Sequence, residues 1–269
     1  MAEFYKGKIP IIDFDGGRTD LSHPKGVGYG YVPRDYSEFP EEMFAPPSQM
    51  KLIPESEWDA RFDEQEENES SLEHLFLRGG KPAFVNLDQN GDGDCWAYSN
   101  GSAKMLTYLR DGKPVPRLNP HFIATYLKRY NGGWCGAGAQ VLFGIGCLEE
   151  GRGDEDWPLH SHDTRLLTQA RIAAAAKHKT TEEWRDLTRQ IYDQEMTTLQ
   201  LATCGFNNIP APSDFNWQSH SVCQVRWVRI ERGSWGPLIL NSWKGWGRFG
   251  LGVYRGRQAI ADGAVAICY

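Results

Sequence analysis

The stretch Gln89-Asn-Gly-Asp-Gly-Asp-Cys95-Trp-Ala-Tyr-Ser99 decides how this chain is interpreted. It places one cysteine directly after a glycine-rich polar turn and directly before an apolar segment, Trp96 to Leu109, that favours a helix. A thiol at a helix N-terminus lies close to unpaired backbone N–H groups and to the positive end of the helix dipole, and both favour the thiolate. Gln89, upstream of the cysteine, could donate an amide N–H to a developing oxyanion. The stretch therefore predicts that Cys95 is a nucleophile.

Two polar residues far downstream complete a possible catalytic set. His220 lies in the stretch SHSV at residues 219–222, and Asn241 lies in the stretch LNSW at residues 240–243. A cysteine nucleophile, a histidine base and a residue that orients the base are the groups needed for covalent acyl transfer. We therefore predict that Cys95, His220 and Asn241 act together, with Gln89 and the Cys95 backbone N–H as the oxyanion hole.

Four short blocks follow one another along the chain: Gln89 to Ser99, Asn131-Gly132-Gly133, His220-Ser221-Val222 and Asn241 to Gly247 (NSWKGWG). In this order they resemble the papain-like (C1 family) cysteine peptidases, whose last block is one residue longer. The resemblance covers about residues 84–257. It implies an α+β, papain-like two-lobed fold, in which a helical lobe and a β-rich lobe enclose a cleft. It also implies hydrolysis of peptide bonds through an acyl-enzyme.

The same resemblance assigns roles to single residues. His220 would be the acid and base, Asn241 would hold its ring, and Trp243 would shield that contact from water. The two glycines of the second block would pair with an extended substrate backbone, because no side chain blocks its approach. The residues expected to bind or enclose the substrate are Gly132, Gly133, Trp134, Trp243 and Trp246.

The sequence departs from the family's pattern at two places near the nucleophile. Asp94 stands where the family usually has serine, and a carboxylate near a thiolate raises its pKa. In the family, a cysteine three residues before the nucleophile commonly pairs with one just before the Asn-Gly-Gly block. Those positions are Asp92 and Tyr130 here, so this disulfide cannot form.

Two patterns in the sequence could bind a metal ion, but each has a simpler explanation. A metal site could be built from Cys135, Cys147, His160 and His162. No close CxxC pair supports it, and buried free thiols explain the six cysteines better. The run DQNGDG at residues 88–93 matches the first half of a calcium loop, but Ser99 replaces the bidentate glutamate. Turn chemistry explains that run without an ion. We therefore predict neither a metal nor another cofactor.

Residues 1–80 are expected to form an extension before a catalytic domain at residues 81–269. Residues 1–50 are rich in glycine, proline and aromatic residues, which indicates an extended arm with a short strand at Ile9 to Phe14. Residues 55–79 predict a helix capped by Ser56 and ended by Gly79-Gly80. The extension could be an inhibitory propeptide or a docking segment for a neighbouring subunit, and docking through residues 1–50 is favoured.

Within residues 81–269 the pattern changes from helical to β-rich. Helices are predicted from Cys95 to Arg110, from Pro120 to Arg129 with Asn119 as its cap, and near Ala137 to Phe143. Residues 164–203 predict a further helical pair, interpreted as an insertion, with a capping box at residues 180–183. From Ser221 onward, short strands separated by glycine turns are expected.

Composition restricts the class of partner. With 40% hydrophobic and 24% charged residues, the chain of 269 residues can bury a globular core. Its net charge of −6 gives no reason to expect nucleic-acid binding, and no apolar run approaches the ~20 residues needed to span a membrane.

Because the first residues lack a secretory signal, we expect an intracellular protein, or one incorporated in an assembly such as a phage virion. The expected partner is a protein or peptide substrate. A structural subunit with weak or no activity, and amidase or isopeptidase chemistry, remain alternatives.

Overall fold

The computed structural model describes residues 9–13, 30–35, 37, 51–180, 184–188, 194–256 and 259–267. Its α-helices are α1 Trp58–Glu67, α2 Leu72–Phe76, α3 Cys95–Arg110, α4 His121–Tyr126, α5 Cys135–Gly144, α6 Gln169–Ala175 and α7 Gln194–Phe206. Its strands are β1 Ile11–Asp13, β2 Trp184–Asp186, β3 Ala211–Phe215, β4 His220–Glu231, β5 Ser234–Leu240, β6 Leu251–Arg255 and β7 Gly263–Ile267. Short 3-10 turns lie at Glu55–Glu57, Arg78–Gly80, Thr164–Leu166, Ala176–His178 and Asn216–Gln218.

One sheet of seven strands organises the described part of the chain, in the order β1-β6-β5-β4-β3-β7-β2. Its pairs are antiparallel except at one edge, where β1 runs parallel to β6 with Ile11 opposite Val253. The central strand β4 is buried along all but its last residue, because α3 and α7 pack against it. A strand that is covered in this way reads as a continuous apolar run, as Val222 to Ile230 largely does.

Helix α3 is the core of the helical part. Most of its residues are buried, and it contacts β4, β3, α5, α2 and α4. The predicted bounds of α3 are confirmed, while α4 is shorter than expected because Lys128 adopts a left-handed φ of 56°. The Asn119 side chain accepts a hydrogen bond from the His121 N–H at 3.2 Å, which supports its predicted capping role. The predicted third helix is confirmed as α5.

The helical segment before the catalytic motifs packs directly on the sheet. Trp58 of α1 lies edge-on to Trp227 and Trp235, with ring centroids 6.0 and 5.6 Å apart. The buried Arg226 of β4 pairs with Glu66 and Glu73 at 2.6 and 3.2 Å. Aromatic burial of this kind contributes about 1.5–3 kcal/mol per side chain. These contacts attach α1 and α2 firmly to the β-rich part.

The predicted single helix over residues 55–79 is wrong in detail. It is divided at residues 68–71, where Glu69 has a left-handed φ of 47°. The predicted cap, Ser56, lies inside a 3-10 turn and caps nothing. Ser71 instead caps α2, because its hydroxyl accepts from the His74 N–H at 3.3 Å.

The prediction of a helical pair over residues 164–203 is also wrong in part. Helices α6 and α7 lie there, but β2 separates them and pairs antiparallel with β7, with Trp184 opposite Ile267. This strand is fixed by a partner far away along the chain, so the local pattern gave no sign of it. Residues 181–183 of the predicted capping box lie outside the described residues, as do Phe14 of the predicted first strand and most of the predicted arm. Among the described helices, none is both long and apolar enough to cross a membrane.

Candidate active site

Cys95 is the first residue of α3 and is fully buried. Its Sγ accepts a hydrogen bond from the backbone N–H of Ser221 at 3.3 Å. Burial raises the pKa of the Cys95 thiol, and the nearby carboxylates of Asp214 and Asp94 raise it further, while the Ser221 hydrogen bond lowers it. In this covered conformation, burial therefore outweighs the helix terminus that was expected to favour the thiolate.

His220 and Asn241 meet as the sequence predicted. The Asn241 Oδ1 lies 2.9 Å from the His220 Nε2. Because an amide oxygen can only accept, Nε2 carries the proton and Nδ1 is the basic nitrogen. The Trp243 ring stacks on the imidazole with centroids 4.1 Å apart and an interplanar angle of 27°. His220 also directly precedes Ser221, whose N–H contacts the Cys95 sulfur.

Gln89 joins the turn before Cys95 to the loop that carries Asn241. Its Nε2 donates to the backbone carbonyl of Asp92 at 2.7 Å, and its Oε1 accepts from the Ser242 hydroxyl at 2.6 Å. A second bond runs from the Gln89 N–H to the Ser242 carbonyl at 3.0 Å. An amide nitrogen has two N–H groups, so one remains for an oxyanion after the bond to Asp92. The side chain is thus held against the turn that leads into Cys95.

The Gly132-Gly133 backbone binds an extended segment, and that segment belongs to the same chain. Gly133 N–H donates to the Gly30 carbonyl at 2.9 Å, and Val32 N–H donates to the Gly133 carbonyl at 2.9 Å. Tyr31 therefore lies opposite Gly133 in a parallel bridge. A Cβ at Gly133 would lie 2.6 Å from the Trp96 ring, so only glycine fits here.

Residues 30–35, here called the cleft segment, cover Cys95. Tyr31 N–H donates to the Ser219 carbonyl at 3.1 Å, next to His220. A Cβ at Gly30 would lie 2.8 Å from the Cys95 Sγ and 2.4 Å from the Gly93 carbonyl oxygen. Cys95 is buried because the backbone of Gly30 lies against its sulfur.

The cleft segment is also held beside Trp134 by the side chain of Arg34. The Arg34 guanidinium lies over the Trp134 ring, 4.7 Å from its centroid, and pairs with Asp186 of β2. Both partners of this ion pair are buried, with side chains only 1% and 4% exposed. A further buried carboxylate, Asp214, accepts from the Cys135 N–H at 3.0 Å, and burial raises its pKa to about 6. Sequence reasoning missed Arg34, Asp186 and Asp214, since no local motif contains them.

Trp246 lies outside this group. Its ring packs against Tyr254 at 6.2 Å, and it lines a groove of about 500 Å³ together with Trp243 and Phe249. This groove adjoins the loop of Asn241. Of the residues predicted to bind substrate, the glycines and Trp134 lie along the cleft segment, whereas Trp246 belongs to this neighbouring groove.

In the part of the chain that the structure describes, the fold does not bring together either of the two possible metal-binding sets named from the sequence. Among the described residues, the ligand atoms that converge are those of Asp92, His121 and His162. The Asp88 carboxylate accepts from the Asn90 N–H at 3.0 Å, as turn chemistry predicts. Buried free thiols are found at each described cysteine, namely Cys95, Cys135, Cys147, Cys204 and Cys223. Cys268 lies outside the described residues.

Comparisons with known proteins identify the fold. No protein-family model matches the sequence, and a search of curated proteins gives no match. Among solved structures, the chain is similar to xylellain, a cysteine protease from Xylella fastidiosa. The two are 19% identical with a TM-score of 0.56, over 92% of this chain and 98% of xylellain.

Two protease precursors are similar over slightly less of their length. Digestive procathepsin L2 from the larval midgut of Tenebrio molitor is 16% identical with a TM-score of 0.52, over 90% of this chain and 78% of that one. Recombinant stem bromelain precursor is 14% identical with a TM-score of 0.51, over 82% and 74%. These comparisons support neither a bacteriophage origin nor a virion component. The chain has the α+β fold of the papain-like cysteine proteases.

Proposed function

We propose that this protein is a thiol peptidase that hydrolyses peptide bonds through an acyl-enzyme on Cys95. The observation that carries the proposal is the bound peptide segment itself. Gly30 to Val32 lies extended across the Cys95 sulfur and is held by the backbone of Gly133 and Ser219. A surface that binds an extended backbone in this way has the chemistry needed for a peptide or protein substrate.

Each group in the site has a step to perform. His220 Nδ1 removes the thiol proton as the Cys95 sulfur attacks the scissile carbonyl carbon, and the imidazolium then gives that proton to the leaving amine. Asn241 keeps the ring oriented through Nε2. Water next attacks the thioester, passes its proton through His220, and releases the acid and the free thiol. Gln89 and the Cys95 backbone N–H stabilise the oxyanion in both halves.

The covered cleft implies that the peptidase is latent in the described conformation. With Gly30 against the sulfur, no substrate carbonyl can reach Cys95, and burial raises the pKa of the thiol. Activity therefore requires the cleft segment to leave. This assigns residues 30–35 an inhibitory role, in preference to the docking role that was favoured from the sequence.

Departure of the cleft segment would define a substrate preference. Without Arg34, the buried Asp186 carboxylate would face Trp134 with its cationic partner gone, and an uncompensated buried charge is costly. A substrate arginine or lysine can restore the pair and stack on the indole ring. We infer a preference for peptides with a basic side chain in this pocket.

The proposal is tested by hydrolysis of fluorogenic peptides in a Gly30→Ala background, in which the added methyl group displaces the cleft segment. We expect peptide cleavage that Cys95→Ala and His220→Ala each abolish. Hydrolysis of small amides but not of peptides would indicate amidase chemistry. A folded Gly30→Ala protein with an accessible thiol and no activity on either substrate would refute the proposal and indicate a structural role.

A further inference from the structure

A cluster of imidazole and carboxylate groups lies on the turn that leads into Cys95. It consists of Asp92, Asp94, His121 and His162, here called the histidine–carboxylate cluster. The His162 Nε2 lies 2.6 Å from the Asp94 Oδ2, and the His121 Nε2 lies 2.9 Å from the Asp92 Oδ2 and 3.7 Å from the Asp94 Oδ2. The catalytic proposal uses none of these side chains.

The ligand atoms are spaced for one small cation. The nearest ligand atoms of Asp92, His121 and His162 all lie within 4.8 Å of one another. A tetrahedral zinc ion with bonds of about 2.0–2.2 Å holds its ligand atoms roughly 3.3 Å apart. Side-chain shifts of about 1–1.5 Å would therefore close the site around zinc. Asp92 and His162 are partly exposed, which gives the ion a route of entry.

Two further contacts point to a bound cation. The Tyr98 hydroxyl lies 2.7 Å from the His121 Nδ1, so it can accept from an Nδ1–H and leave Nε2 free to ligate. Independently, Asp94 is completely buried and its Oδ1 makes no hydrogen bond. A buried carboxylate is costly to leave with its charge uncompensated, and a divalent ion beside the Asp94 Oδ2 would balance the charges of Asp94 and Asp92.

The position of the cluster gives such an ion a structural consequence. Asp92 and Tyr130 occupy the positions where the resembled family commonly has a disulfide, and the Tyr130 ring lies 5.1 Å from that of His162. The cluster joins three segments: the turn before Cys95, the start of α4 and the loop at residues 160–162. The backbone carbonyl of Asp92 also accepts the hydrogen bond from the Gln89 side chain.

We propose that Asp92, His121 and His162, together with Asp94, bind one divalent zinc-class cation that cross-links the nucleophile turn to α4 and the 160–162 loop. Two imidazoles with carboxylates favour zinc, cobalt or nickel over calcium or magnesium, which prefer sites made of oxygen ligands. The ion would cross-link these segments at the place where the resembled family commonly has a disulfide. It would fix the positions of Gln89 and Cys95 relative to each other without contacting the substrate.

The test is zinc titration by calorimetry of the full-length, metal-stripped protein carrying Cys95→Ala, which removes the catalytic thiol as a competing ligand. We expect one zinc per chain and a higher melting temperature with zinc. His162→Gln and Asp92→Asn should each weaken binding at least 10-fold. Tyr98→Phe should weaken it by about 10-fold through loss of the contact that orients His121.

The matched control is His178→Gln, since His178 also contacts a tyrosine and a carboxylate, Tyr108 and Glu149, outside the cluster. It should leave zinc affinity unchanged. The cobalt-loaded protein should give visible absorption of a tetrahedral site that the His162→Gln variant lacks. The proposal is overturned if the parent binds no stoichiometric zinc, or if binding survives Asp92→Asn combined with His162→Gln. The cluster is then a network of hydrogen bonds alone.

Discussion

The Gly30→Ala substitution perturbs the contact that keeps Cys95 covered. Its methyl group would lie 2.4 Å from the Gly93 carbonyl oxygen and 2.8 Å from the Cys95 sulfur, well inside van der Waals contact. The cleft segment must move away, and the three backbone hydrogen bonds to Gly133 and Ser219 are lost with it. At about 1 kcal/mol net for each bond, the covered state loses about 3 kcal/mol, which is roughly a 150-fold change in the ratio of covered to open chains.

The assay is the rate of Cys95 alkylation by iodoacetamide, measured by peptide mapping at neutral pH. We expect Gly30→Ala to react about 100-fold faster than the parent, because modification requires an open cleft. Gly144→Ala is the matched control, since a Cβ at Gly144 meets nothing within 4 Å. Equal alkylation rates in the parent, the Gly144→Ala control and a folded Gly30→Ala variant would refute the inference that this segment limits access to Cys95.

Three further predictions concern side chains around the cleft. In the Gly30→Ala background, Gln89→Ala should lower kcat by about 100-fold or more with little change in KM, and an unchanged kcat would remove Gln89 from the oxyanion hole. Asp186→Asn should reduce the preference for arginine-containing over neutral peptides by about 30-fold or more, measured as a ratio of kcat/KM, and an unaltered ratio would separate Asp186 from specificity. Burial raises the pKa of Asp214 from 3.8 to about 6. Between about pH 4 and 6 the folded protein therefore keeps a proton on Asp214 that the unfolded chain releases, so the free energy of unfolding falls as the pH rises through this range. Asp214→Asn should reduce this pH-dependent loss in the free energy of unfolding, measured with urea, by about 3 kcal/mol. If the free energy of unfolding still falls as steeply with pH in the variant, another group causes the loss.

The parts of the site carried by contiguous motifs could be predicted from sequence. The turn before Cys95 and the helix that follows it are local features. His220 begins β4 and Asn241 directly follows β5, and both strands are favoured by their own residues. The block around Asn241 also predicts that Trp243 shields the contact between His220 and Asn241, and its ring stacks on the imidazole at 4.1 Å.

The features that were missed depend on partners far away along the chain. Arg34 and Asp186 are separated by 152 residues, and neither lies in a recognisable motif. Strand β2 forms because it pairs with β7 at the edge of the sheet. The local pattern of residues 164–203 does not indicate this pairing. The histidine–carboxylate cluster likewise draws its members from three segments. Ser71 was also missed, although its signal is local, because its hydroxyl accepts from the N–H of His74 only three residues later in the chain.

The latency of the proposed peptidase is tested most directly by intact-mass analysis after incubation with an epoxide-type inhibitor of thiol proteases. The parent, Gly30→Ala and the double variant that adds Cys95→Ala are compared. We expect slow labelling of the parent, rapid stoichiometric labelling of Gly30→Ala, and no labelling once Cys95 is replaced. If Gly30→Ala stays unlabelled while iodoacetamide still modifies Cys95, the thiol is accessible without being activated, and the proposal of a latent peptidase is contradicted.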